Sequence, residues 1–140
     1  MSRILGIDPG SATGCAIYQD GKLIELWTTQ PHLIGGIIAA QKPSRVIYED
    51  SRLTSFVFTQ VKSRAAALKM ARNVGEIDAW SYLIASVCAD AGIACHGISP
   101  KNKGAKLDAV QFKALTGWEH KTNSHVRDAA MVAWPYRRAK

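Results

Sequence analysis

Three acidic positions in this chain stand where chemistry could be built. Ile4-Leu5-Gly6-Ile7 runs into Asp8, which Pro9-Gly10 follows; Val46-Ile47-Tyr48 runs into Glu49 and Asp50; His125 and Asp128 lie three residues apart. A carboxylate at the end of a strand is anchored by the sheet while its side chain projects from the rim. Residues three apart on a helix share a face. Taken singly, each has an ordinary structural account: an Asp-Pro-Gly turn, a polar strand terminus, a first-turn helix charge, a surface histidine. Taken together they describe carboxylates that would repel one another unless divalent cations neutralised them. Oxygen-rich ligation suits Mg²⁺ or Mn²⁺. Two such ions about 4 Å apart can activate water on one side of a phosphodiester and stabilise the leaving oxygen on the other. A neutral imidazole at His125 can ligate a metal or orient the water. Glu49 and Asp50 are strand neighbours and face opposite ways, so one of the two reaches such a site.

The elements that must position these groups follow from periodicity. Residues 3–8, 14–19 and 22–28 read as a three-strand meander, with Asp20-Gly21 as its tight hairpin. Pro31 opens a helix to about Gln41, with Leu33, Ile34, Ile37 and Ile38 on its buried face, and Lys42-Pro43-Ser44 breaks it. Arg45 to Asp50 is the fourth strand. Residues 51–60 form a loop that carries Arg52, Phe56 and Phe58. A long helix spans about Ser63 to Ala91 and ends at Gly92; Gly75 in its interior suggests close approach by something. Ile93 to Ile98 is the fifth strand. Beyond Pro100 comes a loop with Lys101, Lys103 and Lys106, then a short helix over about 107–115 that stops at Gly117. The last helix starts at Asn123 or Ser124 and runs to Trp134 before Pro135. This order predicts an α/β fold: a mixed five-stranded sheet with helices on both faces, in one domain over residues 1–140.

Composition agrees with a folded domain. The chain has 140 residues, 47% hydrophobic and 21% charged. It holds no apolar run of membrane-spanning length, and its N-terminus lacks a signal-peptide pattern. Cys15, Cys88 and Cys95 lack metal-like spacing and read as small buried hydrophobes in a reducing cytosol. The net charge of +7 is uneven: residues 1–50 carry four Lys/Arg against five Asp/Glu, and residues 51–140 fourteen against six. A positive surplus in one part of the chain suggests a surface that meets a polyanion.

These stretches resemble the RuvC-type Holliday-junction resolvases of the ribonuclease H-like superfamily. The resemblance rests on Leu5-Gly6-Ile7-Asp8-Pro9-Gly10-Ser11 with Thr13-Gly14, on Val46-Ile47-Tyr48-Glu49, on Ala71-Arg72-Asn73-Val74-Gly75, and on His125-Val126-Arg127-Asp128-Ala129-Ala130. It implies a homodimeric, metal-dependent endonuclease, with two Mg²⁺ per active site, that nicks two opposed strands of a four-way DNA junction. Asp8, Glu49 and Asp128 match the family's acidic ligands, and His125 stands where some members have aspartate and others histidine. Lys101, Lys103 and Lys106 fall where members carry basic residues facing DNA. The short stretch between Asp8 and Glu49 is similar to that of compact bacteriophage or prophage members, acting in the bacterial cytoplasm. Members place an aromatic junction wedge soon after the strand-four glutamate; here Arg52 stands nearby, and Phe56 and Phe58 come later, and the resemblance implies that all three face DNA.

Other readings compete. An actin-like or sugar-kinase ATPase would need a second domain and a second phosphate loop. A related nuclease could act on RNA, RNA–DNA hybrids or other branched DNA. A non-catalytic DNA-binding protein could keep the sheet without turnover, against which the intact acidic set argues.

Overall fold

In the computed structural model, which describes residues 2–53, 63–102 and 104–140, the chain folds around one mixed five-stranded sheet of order β3-β2-β1-β4-β5. Strands β1 (Arg3–Asp8), β2 (Thr13–Gln19) and β3 (Lys22–Thr29) form the expected antiparallel meander. Its hairpin turn puts Asp20 (φ 50°) and Gly21 (φ 86°) in the left-handed region, the geometry that matches strand twist. Strand β4 (Arg45–Glu49) pairs parallel with β1, and β5 (Ala94–Ile98) parallel with β4. The central strand is therefore β1, which ends in Asp8. Parallel neighbours bring the ends of β1 and β4, and so Asp8 and Glu49, to the same rim.

Helices cover both faces. On one lie α3 (Ala109–Thr116) and α4 (Ser124–Ala133), with Phe112, Val132, Ala129, Ala130 and Ala133 packed on Ile4, Tyr18 and Ile47. On the other lie α1 (Ile34–Gln41) and α2 (Arg64–Ala91), with Ile34, Ile38, Ile84 and Cys88 packed on Leu5, Ile7, Ile17 and Val46. Alternation along β1 explains the division: Ile4 faces one layer, Leu5 and Ile7 the other. No helix among the described residues is long and apolar enough to cross a membrane. The three cysteines are unpaired, and burial pushes the Cys15 thiol up to about 12.

Several boundaries differ from expectation. Pro31–Leu33 form a 3₁₀ turn, and the α-helix proper begins at Ile34. Helix α3 starts at Ala109 because Asp108 and Gln111 form a reciprocal capping box: Asp108 Oδ1 accepts from the Gln111 amide and Gln111 Oε1 from the Asp108 amide. Helix α4 gives way to a 3₁₀ turn at Trp134–Tyr136. Among the described residues nothing approaches Gly75, where an added Cβ would meet no atom within 4 Å. Phe56, Phe58 and Lys103 lie outside the described residues.

Candidate active site

The position of α4 is set by glycines beneath it. A Cβ at Gly6 would lie 2.4 Å from the Ala129 carbonyl oxygen, and one at Gly14 2.0 Å from that of His125. Neither contact is sterically possible, so the helix backbone rests where only glycine leaves room. Gly14 is also the cross-strand partner of Asp8. The same two glycines that admit α4 thereby hold its first turns beside the end of β1. The helix is capped by Asn123, whose Oδ1 accepts from the Val126 amide at 3.0 Å.

The result is a cavity of about 430 Å³ at the sheet rim. Asp8, Glu49, His125 and Asp128 all line it, drawn from β1, β4 and α4. So does Lys106, whose ammonium pairs with Asp128 Oδ2 at 3.4 Å. The turn Pro9-Gly10-Ser11-Ala12 closes one side, braced where Thr13 Oγ1 donates to the Gly10 carbonyl at 2.7 Å. Ser51, Ser124 and the apolar Ile77 of α2 complete the wall. Three carboxylates and an imidazole form a donor set suited to a hard divalent cation. Among the described residues, no three His, Cys, Asp or Glu side chains are gathered into a ready-made cage around one point. The donors face a common space and would have to close on an ion, with Lys106 supplying positive charge beside Asp128.

Asp50 turns away from this cavity. It is 4% exposed, and its Oδ1 accepts from the Arg52 amide (3.0 Å) and Nε (2.9 Å) while Oδ2 accepts from Arg52 Nη2 (2.8 Å) and the Tyr48 hydroxyl (3.2 Å). Arg52 holds the Asp50 carboxyl below the usual carboxylate range, and burial, with Asp50 beside it, pushes Tyr48 up to about 12. Gly97 on β5 makes the room, since a Cβ there would lie 2.9 Å from Asp50 Cβ and Oδ2. The chain after Glu49 is tied a second time, where Ser51 Oγ donates to Asp78 Oδ1 of α2 at 2.6 Å. Arg52, expected to face DNA, thus has much of its guanidinium engaged by Asp50. Lys101 is exposed in the turn after β5 and does not line the cavity.

Sequence reasoning missed Ser11, Ser51, Ser124 and Ile77 as wall residues, because serines and a helix isoleucine carry no distinctive spacing. It also missed the Lys106–Asp128 pair, which depends on how a loop returns to the sheet.

No protein-family model matches the chain, and no curated protein matches it. Among solved structures it is similar to T. thermophilus RuvC in complex with Holliday junction substrate, with a TM-score of 0.63 and 17% sequence identity. The match covers 96% of this chain and 91% of that one. The likeness shows the fold, a RuvC-like, ribonuclease H-like arrangement of a mixed five-stranded sheet with helices on both faces.

Proposed function

We propose that this chain is a crossover-junction endodeoxyribonuclease, a single-domain, metal-dependent enzyme that resolves four-way DNA junctions by paired symmetric nicks. One observation carries the reading. Asp8, Glu49 and Asp128 come from three separate elements and, with His125, face one cavity on a fold shared with a protein solved on a Holliday junction.

In this reading Asp8, Glu49, Asp128 and His125 would hold two Mg²⁺ ions, for which Mn²⁺ could substitute. When bound, such ions would supply Lewis acidity, lowering the pKa of water toward neutral and offsetting charge on the leaving oxygen. Asp8 ends the central strand, the least movable support in the sheet, and would be the most firmly placed of these ligands. Glu49 and Asp128 approach from either side of it. His125, exposed at the first turn of α4, is placed to orient water or to complete a ligand shell. Lys106 meets the scissile strand's phosphate, with Lys101, Lys103 and Arg52 along the DNA path. Phe56 and Phe58, in the segment that follows Glu49, are the candidates for stacking on bases unpaired at the junction centre.

Two opposed cuts require two sites related by a two-fold axis, so the working species is a homodimer. Helix α2 is the proposed interface. The compact span between Asp8 and Glu49 supports a phage-type member acting in the bacterial cytoplasm, and the charge surplus supports a nucleic-acid substrate.

The decisive experiment offers the purified protein a four-way junction, a linear duplex and an RNA–DNA hybrid, with Mg²⁺ and with chelator. Symmetric, Mg²⁺-dependent nicking of the junction in preference to the others is expected. Preferential cleavage of the hybrid would replace the DNA reading with a ribonuclease one, and binding without cleavage would leave a non-catalytic protein.

A further inference from the structure

Arg127 sits between His125 and Asp128, yet its guanidinium bonds to neither. Nε donates to the Leu107 carbonyl at 3.1 Å, and Nη1 donates to the Thr122 carbonyl at 3.3 Å and Thr122 Oγ1 at 2.9 Å. These acceptors belong to two different segments. Leu107 directly follows Lys106, whose ammonium stands 3.4 Å from Asp128. Thr122 directly precedes Asn123, the cap of α4, and so leads into Ser124 and His125 at the cavity. One half-buried side chain therefore fastens both the lysine-bearing wall and the helix entry to the same turn of α4. The planar fork of arginine suits this, because it reaches two separated acceptors with its orientation fixed; an ammonium is a point donor.

We infer that Arg127 is a positioning residue that fixes Lys106 at the active-site cavity, and that Lys106 acts on the substrate phosphate only while Arg127 holds it there. The inference rests on the nuclease reading for the role of Lys106, but the coupling of the two residues is a property of the fold. Without Arg127, the Lys106 side chain is one long, exposed chain on a glycine-containing loop, and its charge is averaged over a wide volume. With it, Leu107 is pinned, and Lys106 is restricted to the neighbourhood of Asp128.

The test is a double-mutant cycle on Arg127→Gln and Lys106→Ala, with two readouts. In single-turnover cleavage of a four-way junction, each single variant is expected to lose about 10- to 100-fold in rate, as a small misplacement at a reacting centre does. The double variant should be no slower than Lys106→Ala, and Arg127→Lys should recover part of the loss. Losses that multiply in the double variant would overturn the coupling. The second readout needs no activity: a zero-length carbodiimide cross-link between Lys106 and Asp128, quantified by peptide mass spectrometry well below the melting temperature. Arg127→Gln should reduce its yield severalfold in protein that is still folded by circular dichroism. An unchanged yield would overturn the positioning role even if cleavage fell. A wild-type protein that cuts no DNA, yet loses the cross-link in Arg127→Gln, would overturn the nuclease reading and support the coupling.

Discussion

Gly14 lies directly beneath His125: a Cβ at the glycine would stand 2.0 Å from the histidine's carbonyl oxygen. Gly14 also pairs across the hairpin with Asp8. The distance between the central strand's acid and the helix that carries the other candidate ligands is thus set by the absence of a side chain.

Gly14→Ala is accordingly expected to push α4 off the sheet. Over-packing of this kind costs about 1–3 kcal/mol, and because the obstructing atom is backbone the upper end applies. Activity should fall further than stability, since His125 and Asp128 move away from Asp8 and Glu49. Gly36→Ala is the control, because a Cβ there meets nothing within 4 Å among the described residues. Thermal melts and junction cleavage of the two variants check the expectation; equal behaviour would remove the glycine platform from this account.

Asp8→Asn keeps the shape of the side chain and removes its charge. Cleavage of a four-way junction should be abolished, while junction binding is kept or strengthened, because affinity comes from the basic surface and cleavage from the metal ligands. His125→Ala should slow cleavage by orders of magnitude, and His125→Asp should retain more, since carboxylate can also ligate. Gel-shift titrations beside single-turnover rates separate the two effects. Appreciable nicking by Asp8→Asn would reject its assignment as a metal ligand.

Much of this was legible in the sequence, and the reasons are physical. Asp8 and Glu49 end short apolar runs that read as buried strands, whereas the parallel pairing of β1 with β4, which brings the two acids to one rim, is visible only in the fold. His125 and Asp128 share a helix face by spacing alone. What the sequence did not reveal depends on contacts distant along the chain. Gly6 and Gly14 read as residues of the first two strands, and their role as a seat for α4 emerges only once the helix is docked. Glu49 was named as a ligand through the resemblance while the role of Asp50 stayed open, and it is Arg52 and Tyr48, bonded to the Asp50 carboxylate, that assign it a structural place. The start of α3 was misread although its signal, Asp108 with Gln111 three residues on, was present in the sequence as a capping box.

Asp50 is expected to matter for stability and only indirectly for cleavage. Its carboxylate is buried and bonded to Arg52 through both oxygens, so Asp50→Asn leaves a guanidinium without its counter-charge. A loss of about 1–3 kcal/mol is expected, moderated because the Arg52 side chain is 34% exposed and screened by water. The sign with pH follows from the lowered pKa. The folded protein binds this proton more weakly than the unfolded chain. The contribution is therefore complete above the ordinary aspartate range and is lost as pH falls through the depressed folded value. Wild type and Asp50→Asn should converge in stability as denaturation is followed from pH 6 into strong acid. A gap that stays constant across that range would show that the ion pair does not carry the effect.

Gly75 offers a test of the proposed dimer, because its two environments predict opposite signs. Among the described residues a Cβ there meets nothing within 4 Å, and glycine inside a helix is worse than alanine by roughly 0.5–1 kcal/mol. Gly75→Ala should therefore stabilise a monomer. The same stretch of α2 is a 28-residue helix with apolar side chains facing solvent, Leu68 61% exposed and Tyr82 66%. A helix that exposes large apolar groups around a central glycine is suited to close packing against a second copy of itself. If α2 forms the two-fold interface, an alanine methyl at this point holds the helices apart. Dimerisation should then weaken, the double-nicked product should give way to single nicks, and stability at high protein concentration should fall while that of dilute protein rises. Light scattering and concentration-dependent melts of wild type and Gly75→Ala decide between these outcomes. A wild type that stays monomeric, alone and on a junction, together with a variant stabilised at every concentration, would reject α2 as the interface.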